Sequence, residues 1–184
     1  MSERLVATPG QTIGPFFHYA LPYVRGHELV PPATPGAVRL RGTVYDGAGA
    51  PVPDALLEIR QAAPDGTVPV TEGSWRRDGG FTGWGRCATD PAGRYSFTTL
   101  EPGAVDGGAP FFAVVVFARG LLDRLFTRAY LPGAAAGSDP FLAGLPAERR
   151  ETLMAVREPD GGLRFDVHLQ GDRETLFLTF PGHA

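Results

Sequence analysis

The sequence predicts an all-β fold, a β-sandwich with an extended N-terminal arm, long loops and very little helix. Three observations predict it. The chain of 184 residues contains 25 glycines and 18 prolines, a composition that favours many turns. Short apolar stretches that alternate with polar residues recur between those turns, as in sandwiches and barrels. Hydrophobic residues make up 43% and charged residues 20%, as in a globular domain.

The N-terminal arm, residues 1–36, has the periodicity of neither a helix nor a strand. It is rich in proline, glycine and aromatic residues. Such a segment cannot fold alone, so we expect it to lie against the rest of the chain and bury its rings there. The sandwich core then covers residues 37–184. Since no repeat or linker divides the sequence, a single domain over residues 1–184 is predicted.

The core is predicted to begin with three short strands. Residues 38–44 alternate apolar and polar side chains, and turn-forming residues separate them from a second strand at residues 55–59. Residues 73–83 form a glycine-rich loop. After the turn at residues 90–93, the alternating Tyr95-Ser96-Phe97 predicts the third strand.

The second half of the chain predicts further strands. Residues 111–118 are continuously apolar, which predicts a strand buried on both faces, with a partner at residues 125–131. Residues 147–153 are predicted to make one or two helical turns. Residues 163–169 alternate strictly after a turn, and we expect a hairpin with residues 152–157. A final strand is predicted at residues 175–180.

Composition excludes several functions. The formal net charge is -3 and there is no basic block, so nucleic acid is not an expected partner. Cys87 is the single cysteine, and we expect it to be inert. No apolar run reaches the roughly 18 residues of a membrane span, and the first residues lack the apolar stretch of a secretory signal. A soluble, cytoplasmic protein is therefore expected.

Local catalytic motifs are lacking in the sequence. The four histidines, His18, His27, His168 and His183, form no closely spaced pair of metal ligands. His168 lies on the polar side of a predicted strand and is expected to be solvated. There is also no nucleophile elbow and no phosphate-binding glycine loop. The residues taken alone therefore indicate a β-sandwich without a local catalytic motif.

Four stretches taken together resemble the intradiol ring-cleaving dioxygenases, and among these the α subunits of the enzymes that act on protocatechuate. They are residues 8–18 (TPGQTIGPFFH), 42–47 (GTVYDG), 117–120 (FARG) and 149–153 (RRETL). The first stretch is the most specific of the four. The second occurs in many sandwich domains and supports the fold alone, whereas the last favours an α over a β subunit.

The resemblance implies an enzyme that uses O₂ to cleave 3,4-dihydroxybenzoate to 3-carboxy-cis,cis-muconate in the degradation of aromatic compounds. Such enzymes hold Fe(III) through two tyrosines and two histidines, and hard phenolate oxygens suit the ferric ion. By resemblance, the histidine positions correspond to Phe111 and Ala113. One tyrosine position corresponds to Val105, and the other falls near Glu72 and Gly73. The resemblance therefore implies that the iron is held by a homologous β subunit and that the isolated chain is inactive.

The resemblance also implies what this chain contributes to an α–β hetero-oligomer. The arm residues Thr12, Gly14, Pro15 and Phe16 would reach the substrate pocket beside the iron, with Phe16 in place of the usual tyrosine. Arg128 would approach the same pocket, where a guanidinium suits a carboxylated substrate. Two plainer interpretations stand beside these: Gly14 and Pro15 only shape the backbone, and Arg128 forms an interface ion pair.

Two other functions are compatible with parts of the sequence. The strand motifs alone would permit a non-enzymatic binding module of the transthyretin-like kind, but such a module does not need the motif of residues 8–18. A self-sufficient intradiol enzyme with other iron ligands is the second alternative. The missing histidine pair at Phe111 and Ala113 argues against it.

Overall fold

The computed structural model describes residues 17–70, 80–133 and 139–180. Nine strands and three short helices form in these residues. The strands are β1 (Val38–Tyr45), β2 (Leu56–Gln61), β3 (Trp84–Ala88), β4 (Arg94–Thr99), β5 (Phe111–Phe117), β6 (Leu125–Tyr130), β7 (Val156–Arg157), β8 (Leu163–Arg164) and β9 (Val167–His168). The helices are α1 (Phe17–Ala20), α2 (Pro140–Ala143) and α3 (Ala147–Glu151).

The strands form two sheets. The first has the order β4-β1-β8-β7, and β9 also pairs with β1; the second has the order β3-β2-β5-β6. All pairs in the second sheet are antiparallel, whereas β1 runs parallel to β8 and β9. The predicted all-β sandwich with little helix is confirmed. The predicted hairpin near the C-terminus is present as the pair β7–β8.

The hydrophobic core draws its side chains from both sheets. Leu40 and Phe97 come from the first sheet, and Ile59, Phe112 and Val114 come from the second. All five are at most 2% exposed. Full burial of such a side chain is worth about 1.5–3 kcal/mol, so this shared core holds the two sheets together.

Strand β5 differs from its prediction. Only every second residue, Phe112, Val114 and Val116, is buried in the core, while the residues between them are partly exposed. The prediction of a strand buried on both faces was wrong, because the second sheet contacts the core with one face only. Its other face, which carries Phe111 and Ala113, is partly open.

A close contact ties the C-terminal half of the chain to β1. The hydroxyl of Tyr95 donates a hydrogen bond to the carbonyl oxygen of Phe165. Gly42 makes room for it, since a Cβ at this position would lie 1.9 Å from that oxygen. Burial raises the pKa of Tyr95 well above its usual value, so the hydroxyl keeps its proton and remains a donor.

Part of the N-terminal arm lies against strand β3. The backbone N–H of Arg86 donates to the carbonyl oxygen of Gly26 at 2.8 Å. The Arg86 guanidinium donates to the carbonyl oxygen of Leu21 at 2.9 Å. The ring of Tyr23 stacks on Trp84 with 6.4 Å between centroids. These contacts hold the arm on the second sheet.

The arm then continues onto strand β4 of the first sheet. The N–H of Thr98 donates to the carbonyl oxygen of His27 at 2.9 Å, and the N–H of Leu29 donates to the carbonyl oxygen of Thr98 at 2.8 Å. The arm therefore contacts an outer strand of each sheet. The ring of Tyr19, in contrast, is 74% exposed. None of the helices within the described ranges has the length and hydropathy needed to cross a bilayer.

Candidate functional site

The open face of the second sheet carries a row of three residues on neighbouring strands. Ala113 of β5 lies opposite Arg60 of β2 on one side and opposite Arg128 of β6 on the other. Side chains at directly opposite positions point to the same face of a sheet. The methyl group of Ala113 therefore lies between two arginines, and Phe111 lies two residues away on the same face.

A pocket of about 480 Å³ lies over this row, and we call it the outer pocket. Its lining includes Arg60, Val105, Phe111, Ala113, Arg128 and Phe141. The structure thus brings together four residues that the sequence analysis singled out from three separate segments, namely Val105, Phe111, Ala113 and Arg128. A volume in this range is typical of small-molecule sites.

Arg128 is held by aromatic residues. Its Nη1 donates to the hydroxyl of Tyr130 at 2.9 Å. Its guanidinium carbon lies 4.3 Å from the ring centroid of Phe111 and 5.1 Å from that of Phe141, which are cation–π distances. Burial raises the pKa of Tyr130, although the hydrogen bond from Arg128 opposes this shift. Tyr130 is therefore a neutral acceptor at this position.

Asp139 supports one wall of the outer pocket. One of its carboxylate oxygens accepts the N–H groups of Phe141 and Leu142 at 3.0 and 3.1 Å, as the N-cap of α2. The other accepts the N–H of Ala109 at 3.0 Å. The Asp139 side chain is thus committed to three backbone donors. It fixes Phe141 next to the loop that carries Val105.

A second depression of the same volume lies over the first sheet. Three of its arginines are paired with carboxylates there. Arg41 pairs with Glu158, Arg94 with Asp90, and Arg164 with Glu158 and Asp166. In the outer pocket, neither Arg60 nor Arg128 pairs with a carboxylate of the described residues. The outer pocket is therefore the stronger candidate for a ligand site.

Comparisons with known proteins show the family to which the chain belongs. Residues 23–109 match the sequence profile described as "Dioxygenase". The protocatechuate 3,4-dioxygenase alpha chain of Burkholderia cepacia is 40% identical, over 95% of this chain and 98% of its own length. The corresponding beta chain of that organism is 33% identical, over 71% of this chain and 63% of its own length. The chain belongs to the intradiol ring-cleaving dioxygenases.

A solved structure supports the same fold. The dioxygenase domain of a dioxygenase–carbohydrate-binding protein fusion from Streptomyces sp. SirexAA-E has a TM-score of 0.62 and 27% identity. The match covers 89% of this chain and 98% of that chain. Intradiol dioxygenases in general depend on non-haem iron.

The side chains of the outer pocket do not fit a ferric ion. Val105, Phe111 and Ala113 have no oxygen, nitrogen or sulfur donor in their side chains, and a protein holds an iron ion through such donors. Arg60 and Arg128 add positive charge and have no lone pair to donate. In the three described ranges, no group of three or more His, Cys, Asp or Glu side chains is placed to hold a metal.

Other residues named in the sequence analysis lie elsewhere. Thr12, Gly14, Pro15 and Phe16 lie outside the described residues. So do Glu72 and Gly73, near which the second tyrosine position was expected.

His168 and Cys87 are not among the residues that line the outer pocket. His168 was expected to be solvated, but its ring is partly buried and stacks on Tyr45 at 4.9 Å. Burial, followed by the charge of Arg173, lowers the pKa of His168. Burial also raises the pKa of the Cys87 thiol, which makes it a poor nucleophile.

Arg60, Asp139 and Phe141 are among the residues of the outer pocket that sequence reasoning missed. The Asp139-Pro140 dipeptide is an N-cap followed by a proline in the first turn, and this signal was available. Arg60 had no such signal. Its position next to Ala113 depends on the strand register, which the sequence pattern of one strand does not determine.

Proposed function

We propose that this chain is the α subunit, without iron, of a protocatechuate 3,4-dioxygenase. In this proposal it forms a hetero-oligomer with a homologous β subunit that holds the Fe(III). The observation that supports the proposal is the outer pocket, which is lined together by Val105, Phe111 and Ala113, the residues that the resemblance aligns with ligand positions. The near full-length match to an alpha chain, against a partial match to a beta chain, supports it.

The proposed role of the chain is to shape the substrate pocket of its partner. Thr12, Gly14, Pro15 and Phe16 are proposed to line that pocket from the arm. The anchoring of the arm at Arg86 supports this role, because it limits where the preceding residues can reach. A phenylalanine at position 16 would exclude water from the pocket and could not donate a hydrogen bond.

Arg128 is proposed to help hold the carboxylate of the substrate at the contact between the two subunits. A guanidinium can pair two N–H donors with the two oxygens of a carboxylate. Its contact with the rings of Phe111 and Phe141 fixes the orientation of these donors. Among the described residues, the side chain that accepts a hydrogen bond from it is Tyr130, which bonds to Nη1.

The proposal is tested by producing the chain with and without a β subunit encoded beside it. Together they should copurify, contain iron, show a tyrosinate-to-iron absorption band and consume O₂ with protocatechuate. The chain alone should contain no iron and show no activity. A chain that alone develops the absorption band would refute the assignment of iron to the partner. Failure to form any complex with an intradiol β subunit would favour a non-enzymatic sandwich module.

A further inference from the structure

Arg86 of β3 holds the N-terminal arm at two places. Its Nη1 donates to the carbonyl oxygen of Leu21 at 2.9 Å, and its backbone N–H donates to the carbonyl oxygen of Gly26 at 2.8 Å. One residue of the second sheet therefore binds both ends of the arm segment 21–26. The bond made by the side chain is the one closer to the N-terminus.

Glu58 of β2 fixes the direction in which this guanidinium points. It lies directly opposite Arg86 in the strand register. Its Oε1 accepts a hydrogen bond from Nε at 2.8 Å and another from Nη2. The two side chains are only 19% and 18% exposed, so water screens their attraction less than it screens a surface pair. Since the guanidinium is a rigid plane, holding two of its nitrogens leaves Nη1 directed at Leu21.

Helix α1 connects this anchor to the residues proposed for the partner's pocket. The N–H of Leu21 donates to the carbonyl oxygen of Phe17 at 3.1 Å, which closes the single turn of the helix. A helical residue advances by about 1.5 Å, so Phe17 lies only about 6 Å along the axis from Leu21. No residue of α1 is buried, so core packing does not hold the turn in place. The position of Phe17, and of Phe16 before it, therefore follows that of Leu21.

The later part of the arm is held in a different way. The bonds at Gly26, His27 and Leu29 join backbone groups, so they do not depend on the guanidinium of Arg86. The stack of Tyr23 on Trp84 also lies on the C-terminal side of Leu21. Loss of the guanidinium would therefore free the residues before Tyr23 and leave the rest of the arm on the two sheets.

We infer that Arg86 and Glu58 are positioning residues of the assembled dioxygenase, which hold the arm where residues 12–16 meet the substrate in the partner's pocket. This inference rests on the proposed function. The pair does not touch the substrate and acts through Leu21 and α1. Its loss should weaken substrate binding and leave the iron unchanged, since the iron belongs to the partner in that proposal.

The test places Arg86→Gln in the complex with the β subunit and measures O₂ consumption against the concentration of protocatechuate. The KM should rise about tenfold, as for the loss of one charge-assisted hydrogen bond, and kcat should change less than about twofold. The iron content should stay the same. Glu58→Gln should also raise the KM, and Arg86→Lys should restore part of the loss because it keeps a charge and N–H donors. A merely structural defect would reduce the amount of active complex without raising the KM.

A second measurement follows the arm in the full chain. Trypsin cleaves after arginine, and Arg25 lies in the segment that Arg86 holds at both ends. Mass spectrometry should show cleavage after Arg25 several-fold faster in Arg86→Gln and Glu58→Gln than in the unmodified chain. If the chain is stable only with its partner, the complex is digested instead.

Arg157→Gln is the matched control. It removes an arginine that pairs with Glu101 from β7, at the end of the first sheet opposite to the arm-bound strand β4. The KM and the rate of cleavage after Arg25 should both equal those of the unmodified protein. Circular dichroism checks folding, and if Arg86→Gln is not folded, Glu58→Gln and Arg86→Lys decide.

Two results would overturn the inference. One is an active complex in which Arg86→Gln leaves the KM unchanged, and the other is cleavage after Arg25 that neither Arg86→Gln nor Glu58→Gln accelerates. Both would leave the proposed function in place. If the unmodified chain gives no active complex with a β subunit, the proposed function is refuted, and this inference falls with it.

Discussion

Tyr95 makes one hydrogen bond that links two distant parts of the chain. Its hydroxyl is buried and donates to the carbonyl oxygen of Phe165, which lies 70 residues later. Gly42 is required at the same point because any Cβ would collide with that carbonyl group. The contact thus depends on the hydroxyl group of Tyr95 as the donor and on the lack of a side chain at Gly42. Neither residue can be replaced without loss.

We expect Tyr95→Phe to lower the free energy of unfolding by about 1–3 kcal/mol, because the buried carbonyl of Phe165 loses its donor. Urea denaturation followed by tryptophan fluorescence measures the change. Tyr45→Phe is the control, since Tyr45 is partly exposed and its ring stacks on His168. Tyr45→Phe should lower the free energy of unfolding clearly less than Tyr95→Phe does. Equal losses in both variants would contradict the role given to the Tyr95 hydroxyl.

His168 makes stability depend on pH. Its partly buried ring has a pKa below the value of about 6.5 that applies to the unfolded chain. The unfolded chain therefore binds more protons as the pH falls through this region. By linkage, the free energy of unfolding decreases as the pH is lowered from about 6.5 towards the pKa of the folded state.

The variant His168→Gln should weaken this dependence. Denaturation curves at several pH values between about 7.5 and 5.5 give the slope for each protein, in a range where most carboxylates remain ionised. The unmodified chain should lose stability towards the acid end, and the variant should lose less. A variant whose slope matches that of the unmodified chain would show that other groups control the effect.

Strand β5 has two faces with different roles. Phe112, Val114 and Val116 enter the core, whereas Phe111 and Ala113 line the outer pocket. The sequence predicted the strand correctly because its Val and Phe content is typical of strands. It could not predict the two faces, because both are apolar. An apolar open face carries no polar residues that would distinguish it from the core face.

We expect Phe112→Ala to lower the free energy of unfolding by about 3–5 kcal/mol, as for other large-to-small changes in a core. Phe117→Ala removes the same ring from the opposite face of β5, where it is partly exposed. Its cost should be no more than about 1.5 kcal/mol. Thermal denaturation of both variants provides the comparison. Similar losses would mean that the strand is buried on both faces after all.

At the scale of the whole molecule, the expected ligand positions come from separate segments. Phe111 and Ala113 belong to β5, and Val105 belongs to the loop before it. Only the folded chain brings these positions together with Arg128. The resemblance identified these positions in the sequence. The strand register then shows that Arg60 and Arg128 lie on either side of Ala113. These residues form no short sequence motif, because they come from three separate segments of the chain.

The double variant Phe111→His with Ala113→His tests whether two histidines at these positions are enough to bind iron. We expect it to bind no Fe(III) and to show no tyrosinate absorption band. Position 105 still lacks a tyrosine, and Arg60 and Arg128 repel a cation. Metal analysis and the visible spectrum after incubation with ferric citrate measure this. Iron retained with a tyrosinate band would mean that another tyrosine completes the site.

The overall fold could be predicted to a large extent from the sequence. Turn residues and alternating strands indicated the sandwich, and β1, β2, β4, β5 and β6 lie where strands were expected. Strand β3 was missed, because two glycines surround Trp84 and hide its alternation. A Cβ at Gly85 would lie 2.4 Å from the side chain of Leu29 in the arm, which would then have to shift. The glycine that leaves room for Leu29 also conceals the strand.

The path of the arm has a further consequence, which concerns association with other molecules. Strands β3 and β4 are the ends of their sheets, and an uncovered end strand offers free N–H and carbonyl groups to a foreign strand. The arm occupies such groups on Arg86 and Thr98. A chain shortened to begin at Val30 would leave both ends open. It should then form aggregates rich in intermolecular β-structure, so the arm protects the solubility of the protein.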